Sequence, residues 1–436
     1  MSADNYKSIA AKLKFEGRAY INGKYVDAID GEKFENINPA TSDVLCSVAK
    51  CNHKDVDLAV KVSRKAFESG VWSKTAPEYR KEILLKFAEL LRKHGVENSV
   101  LECVDTGKLV NDCLNEVAND TPMHFQWYGE LIDKTFGKVS ATDPSITSLI
   151  VKEPIGVVAG VVPWNFPLMM AVWKAAPALA AGCSVIIKPA EDTPLSALKI
   201  AQIASDAGIP DGVFNVLPGF GDVGEALGRH NDVDAVSFTG STEVGGLFMK
   251  YSGESNLKTI GLEMGGKSPF LVLEDAKIND ALIDNAINSA FWNGGQNCSA
   301  NMRQIIHNKV KDEFLDKVLK RIKNIKVGDP LDTETNMGSM ISKSHLAKVD
   351  SYIQKGIDEG ASILHGGVSD TNQKGFFAKP TLFDNVKENM TIAQDEIFGP
   401  VLGVLTVNDT EEALKIAKNS KYGLHASVFT QDINKA

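Results

Sequence analysis

From residue 155 onward the apolar positions fall into short runs separated by longer stretches with helical spacing. The run 157–162 leads into 168–181, 184–188 into 194–208, 213–217 into 222–230, and 234–238 into 242–252, with 259–262 closing the series. Short apolar strands alternating with helices of this length predict a parallel sheet covered on both faces. Ligands of such sheets bind beyond the carboxyl ends of the strands. Here those ends are occupied by Asn165, Lys188, Glu191, Gly219, Gly221, Gly240, Ser241 and Glu263. A second α/β pattern follows: strand 269–273, helix 279–293, strand 303–307, helices 311–325 and 347–359, strands 381–383 and 401–407, helix 411–419 and strand 426–430.

The first 154 residues read differently. Asn22-Gly23 between Tyr20-Ile21 and Lys24-Tyr25-Val26 predicts a two-residue hairpin turn. Helical patterns follow at 54–70, at 77–94 and through 105–134. In 140–152, Thr147, Leu149 and Val151 alternate with Ser148, Ile150 and Lys152, which suits an exposed strand or an arm reaching toward a partner.

Composition narrows the class. A chain of 436 residues is expected to form two or three domains, and 43% hydrophobic with 24% charged residues is globular. The net charge of −9 with no basic stripe argues against a nucleic-acid partner. Cysteines 46, 51, 103, 113, 183 and 298 form no CxxC pair, so neither a disulfide framework nor a metal site is indicated. Residues 1–30 carry no apolar core of the signal-peptide kind, and a cytoplasmic setting is expected. Residues 155–173 are uncharged and long enough to span a bilayer, but Pro163, Asn165 and Pro167 break them into a buried strand, a turn and a buried helix.

Candidate chemistry centres on Phe291-Trp-Asn-Gly-Gly-Gln-Asn-Cys-Ser-Ala-Asn-Met-Arg303. Gly294 and Gly295 end the helix before it and permit a tight turn. Cys298 then lies among small and polar residues, where partial exposure and a thiolate-favouring environment suit a reactive thiol better than an apolar run would. A buried inert cysteine is the plain alternative. Gly240-Ser-Thr-Glu-Val-Gly245 ends a strand and opens a helix, a place where backbone N–H groups favour a pyrophosphate.

Six motifs in order carry a family resemblance: Pro163-Trp-Asn-Phe-Pro167, Lys188-Pro-Ala-Glu191, Phe238-Thr-Gly-Ser-Thr-Glu-Val-Gly245, Leu262-Glu-Met-Gly-Gly-Lys267, Gly295-Gln-Asn-Cys298 and Glu396-Ile-Phe-Gly-Pro400. From about residue 18 to its end the chain resembles the NAD(P)-dependent aldehyde dehydrogenases. Asp105-Thr-Gly-Lys108, Gln126-Trp-Tyr128 with Ile132-Asp-Lys134, and Pro218-Gly-Phe-Gly221 are most similar to its aminoaldehyde branch, which includes γ-glutamyl-γ-aminobutyraldehyde dehydrogenases.

The resemblance implies an α/β fold. A Rossmann-like cofactor domain is expected over 1–131 and 154–262, an oligomerisation arm over 132–153, and a catalytic domain over 263–436. It implies Cys298 as nucleophile, Asn165 as oxyanion donor, Glu263 as general base, and Lys188 beside them. The implied NAD site comprises Val161, Val162, Pro163, Trp164, Lys188, Glu191, Gly221, Gly224, Phe238, Gly240, Ser241, Val244, Gly265, His345, Glu396 and Phe398. A carboxylate at Glu191 would accept from ribose hydroxyls and repel a 2′-phosphate, favouring NAD over NADP. Glu116 and Asp120, four apart on a helix, would attract a substrate ammonium group, with Trp173 as an aromatic wall.

The expected reaction is oxidation of an aldehyde to an acid, the substrate an ω-aminoaldehyde or γ-glutamyl-aminobutyraldehyde as in polyamine catabolism. The alternatives are betaine aldehyde, a broad range of aliphatic aldehydes, or a non-catalytic member. The chain ends at Ala436, whereas the family continues for some tens of residues. A homodimer or homotetramer is expected where that C-terminal segment is present.

Overall fold

The computed structural model describes residues 3–370 and 373–436. Two sheets dominate it. In the first, five parallel strands run in the order Thr259–Met264, Ala235–Gly240, Val157–Val161, Ser184–Lys188, Phe214–Val216, and the hairpin Ala19–Ile21/Lys24–Val26 extends the far edge antiparallel. Strand order reverses between Val157–Val161 and Ala235–Gly240, so the crevice beyond their carboxyl ends is the topological switch point. The hairpin turns as expected, with Ile21 opposite Lys24 and both Asn22 (φ 54°) and Gly23 (φ 78°) left-handed.

The strands are apolar throughout because helices cover both faces. On Ser184–Lys188 every residue is buried: Val185 and Ile187 enter one core and Ile186 the opposite one. The second sheet runs Ser362–His365, Thr381–Asp384, Val401–Val407, Arg303–His307, Pro269–Val272, Ser427–Phe429, parallel except at Ser362–His365. It is sandwiched in the same way, Ile306 on one side and Ile305 on the other.

Several elements depart from the sequence expectation. The helix expected through 105–134 is broken: Gly107 (φ 74°) caps the helix Gly95–Thr106. A short helix Val110–Cys113 then widens into a π-helical segment, Leu114–Asp120, before Thr121–Leu131. Helix Gly95–Thr106 was not expected from the sequence; Asn98, Ser99, Glu102, Asp105 and Thr106 are buried along with its apolar residues, so polarity does not mark its outer face. The expected arm is a hairpin of its own, Lys138–Ser140 against Ser148–Ile150, separate from both large sheets. Val139, Leu149, Ile150 and Val151 on it are all more than half exposed.

Candidate active site

The cysteine turn is built by local backbone chemistry. Helix Asp280–Phe291 starts on Asn279, whose side chain accepts from the Leu282 N–H at 2.9 Å. It gives way to Asn293, Gly294 and Gly295, all left-handed. Glycine is required at 295, where a Cβ would stand 2.6 Å from the Gly399 carbonyl oxygen. Gln296, buried, then pins the turn: its Nε2 donates to the carbonyls of Asn293 (3.1 Å) and Ser339 (3.3 Å), and its Oε1 accepts from Ile341 N–H at 2.9 Å. Cys298 emerges from this fixed loop half-buried.

The second loop comes from the first sheet. Strand Val157–Val161 runs into Pro163-Trp-Asn-Phe, and Pro167 opens the helix Pro167–Ala181 at the position that tolerates proline best. The buried Asn165 side chain donates to the Gln296 carbonyl at 2.9 Å, and Asn293 Nδ2 donates back to the Asn165 carbonyl at 3.3 Å. The two loops are therefore laced together across the two sheets. One N–H of the Asn165 amide is used in this lacing, which leaves the other for a ligand.

Around these loops lies a cleft of about 460 Å³, lined from both halves of the chain. Cys298, Glu263 and Asn165 all face it, with Gly240, Ser241 and Gly265. So do Pro163, Trp164, His345, Glu396 and Phe398, and at the other end Trp173. Glu263 is the penultimate residue of the edge strand Thr259–Met264, in register with Thr239, so it belongs to the first sheet rather than to the expected second domain. Glu396 accepts from the Gly266 N–H at 3.1 Å, and a Cβ at Gly265 would strike its carboxylate. Phe398 holds a left-handed backbone (φ 61°), strained for an aromatic residue, and His345 Nε2 donates to its carbonyl at 2.6 Å. Burial pushes the His345 imidazole down to about 4, so it is neutral at physiological pH.

The thiol environment corrects one expectation. Burial, followed by the carboxylates of Glu396 and Glu263, raises the Cys298 thiol above its ordinary range, and nearby backbone hydrogen bonds only partly oppose this. The loop alone does not favour the thiolate. Ionisation needs a base or an added positive charge close by.

On the cofactor side, Lys188 is buried and its Nζ donates to Glu191 Oε2 at 3.2 Å; the Glu191 side chain is 40% exposed. Neither residue lines the cleft of Cys298; Glu191 borders a neighbouring groove with Asp192 and Phe220. Ser241 caps helix Thr242–Gly253 just beyond the switch-point strand Ala235–Gly240, and Gly221 opens helix Gly221–Arg229 next to Phe220, which lines the Glu191 groove. A Cβ at Gly221 would meet no atom within 4 Å, and Val244 is part-exposed in the first turn of its helix. Helix N–H groups with a carboxylate acceptor in the adjoining groove fit a dinucleotide. Val161, Val162 and Phe238 are buried, and the Phe238 ring packs on Phe248 at 4.8 Å, so these three can offer a ligand only backbone. Gly224 is buried too, where its helix approaches the Phe248 ring.

Glu116 is a correction. Its carboxylate is buried and paired with the fully buried Lys108, out of reach of any substrate. Asp120 closes the π-helical segment outside the cleft, and its carbonyl accepts from His124 Nδ1. The four-residue spacing was read on a regular α-helix that the chain does not form here.

A family model for the aldehyde dehydrogenase family matches residues 25–436. The chain belongs to that family, which consists of oxidoreductases acting on aldehydes. An aminoacetaldehyde dehydrogenase of Pseudomonas aeruginosa is 44% identical over the whole chain and 88% of its own length. Among solved structures, a γ-glutamyl-γ-aminobutyraldehyde dehydrogenase from Burkholderia cenocepacia superposes with a TM-score of 0.97 at 42% identity, over 100% of this chain and 88% of the other. An indole-3-acetaldehyde dehydrogenase from P. syringae, solved with NAD+, gives 0.97 at 44% with the same coverage. The α/β fold expected from the strand–helix alternation is the fold of these enzymes.

Sequence reading missed several residues of the site. Lys174, on the helix after the Asn165 turn, is buried and donates to Thr239 Oγ1 at 2.6 Å; burial pushes its ammonium down to about 8 while Glu263 opposes the shift. A single lysine in an otherwise apolar helix was the available signal. Lys174 lies behind the cleft wall, whereas Lys348, Trp292, Met169 and Asn297 line it. Lys348 lies three residues after His345, on the same helix face.

Proposed function

We propose that this chain oxidises an aldehyde to a carboxylic acid with NAD, through a covalent bond to Cys298. The observation carrying this reading is one cleft that holds a thiol on a rigid turn, a carboxylate at a strand end and a buried amide laced to the thiol's own loop. Cys298 Sγ, giving up its proton to solvent as the positive charge of a bound NAD+ would favour, adds to the aldehyde carbon, and the resulting oxyanion accepts from Asn165 Nδ2 and the Cys298 N–H. NAD+, when bound, supplies the hydride acceptor. Gly221, Ser241 and Glu191 would hold its diphosphate and adenosine ribose, and Glu396 with Phe398 and His345 its nicotinamide end. Glu263 takes a proton from water, which adds to the Cys298 thioester, and the acid leaves as Cys298 regains its sulfur charge. Lys174, behind the cleft on the helix Pro167–Ala181, donates to Thr239, which pairs with Glu263 in the sheet, so its ammonium steadies that end of the cleft.

Cofactor choice follows from Glu191, whose half-exposed carboxylate faces no partner but Lys188 among the described ion pairs. NAD should exceed NADP in kcat/KM by at least about tenfold, since a 2′-phosphate there meets a like charge. Glu191→Ser should narrow that ratio several-fold; a parent enzyme preferring NADP refutes the argument.

For substrate, we favour an ω-aminoaldehyde or its γ-glutamyl derivative, as in polyamine breakdown. Support comes from the relatives above and from Trp173 and Trp292, whose faces can receive an ammonium group. Glu116 is buried elsewhere and takes no part in this. The same aromatic lining supports a second reading, an aryl-acetaldehyde. Comparing kcat/KM for 4-aminobutyraldehyde, its γ-glutamyl amide, betaine aldehyde, an uncharged aliphatic aldehyde and an aryl-acetaldehyde decides between them. Preference for either uncharged aldehyde ends the amine reading. The exposed apolar hairpin 138–150 supports assembly into a homodimer or homotetramer. A cytoplasmic setting is kept as part of the proposal; among the described residues no helix is long and apolar enough to cross a membrane.

A further inference from the structure

The acid removed from the substrate mouth belongs to a different device. Lys108 is wholly buried directly after the Gly107 cap; it pairs with Glu116, and its Nζ stands 3.9 Å from Glu102. The same ammonium lies 3.9 Å from the centre of the Phe166 ring. Glu102 reaches onward, its Oε2 accepting from the Leu168 N–H at 3.2 Å, in the first turn of the helix behind Asn165. Asp112, between Lys108 and Glu116 in the chain, has its carboxyl raised by burial, opposed in part by the Lys108 charge and by the Trp292 side chain. Trp292 opens the turn that carries Cys298, and its ring meets that of Phe166 at 5.2 Å.

Threads from this segment thus reach the two loops that carry Asn165 and Cys298. Phe166 and Leu168 follow Asn165, and Trp292 begins the turn that ends at Cys298. Buried ion clusters contribute little net stability, because desolvation cancels most of the attraction. What they do provide is direction, since charge-assisted bonds fix the groups that make them. The π-helical stretch Leu114–Asp120, an unusual form frequent at functional sites, carries Glu116 into the cluster.

We infer that Lys108, with Glu102, Asp112 and Glu116, is a positioning cluster that sets the Asn165 amide and the Cys298 N–H at the separation the oxyanion requires. The inference rests on the oxyanion reading of those two donors. Lys108 touches no reacting atom and acts through Phe166 and the first turn of the helix.

The test is a double-mutant cycle on the full chain with NAD and a saturating aldehyde. Asn165→Ala alone should lower kcat by about a hundredfold, the usual effect of losing an oxyanion donor. Lys108→Met should lower kcat by about thirtyfold while the dissociation constant for NAD, read by fluorescence, changes less than about twofold. In the Asn165→Ala background the same Lys108→Met change should cost less than about threefold more, because the donor it positions is gone. Phe166→Leu, which leaves the ion cluster intact, should repeat the pattern and carries the comparison if Lys108→Met does not fold. Equal losses in both backgrounds overturn the inference and leave the cluster as plain core. Unchanged kcat in Asn165→Ala instead overturns the oxyanion reading beneath it.

Discussion

Cys298→Ala is expected to abolish aldehyde oxidation, with turnover below about a hundredth of the parent rate, and to leave NAD affinity within about twofold. Both halves of the expectation follow from placement. The thiol is carried by a turn of the second sheet's half, whereas Gly221, Ser241 and Glu191 lie at the carboxyl ends of the first sheet. The backbone should not move, because the turn is held by Gln296 and by left-handed residues that the substitution leaves alone. Steady-state NADH formation and NAD titration by fluorescence measure the two quantities. Turnover above a hundredth of the parent rate removes Cys298 from the role of nucleophile. Loss of NAD binding would mean that the turn shapes the cofactor site more than its geometry indicates.

How much of this was legible beforehand depended on whether the information was local. Strand–helix alternation, the Asn22-Gly23 hairpin and the glycine stop before Cys298 depend on neighbouring residues, and the structure has all three. The parallel sheet could be read because strands buried on both faces must be apolar throughout, as Ser184–Lys188 is. Helix Gly95–Thr106 could not, since five polar residues, Asn98, Ser99, Glu102, Asp105 and Thr106, are buried in it and polarity gives no guide to its outer face. Glu116 failed for a related reason: its partner Lys108 is close in the chain, but whether a carboxylate is solvated or buried is decided by the helices packed around it. Lys174 and Lys348 were overlooked because their meaning lies in what they face across the fold. The thiol of Cys298 sits where the sequence put it, yet the carboxylates that raise its proton affinity come from residues 263 and 396, far away in the chain.

Glu263→Gln should separate the two halves of the reaction. The amide keeps the shape of the side chain but cannot accept a proton, so only steps needing a base at that position should suffer. Glu263 projects from the exposed side of an edge strand into the cleft, with Thr239 opposite and Lys174 bonded to Thr239. The Asn165–Gln296 lacing, made by the Asn165 side chain and a backbone carbonyl, does not involve Glu263. Addition to the aldehyde and loss of hydride should therefore survive, giving a burst of about one equivalent of NADH per active site when enzyme and NAD are mixed rapidly with aldehyde. Thioester hydrolysis should then slow by about a hundredfold or more, and the acyl-enzyme should persist as a mass increase on Cys298. Hydroxylamine, which needs no base to attack a thioester, should restore turnover by releasing the acyl group. If the burst vanishes together with turnover, Glu263 acts before hydride transfer, as the base that ionises a thiol held protonated by its burial.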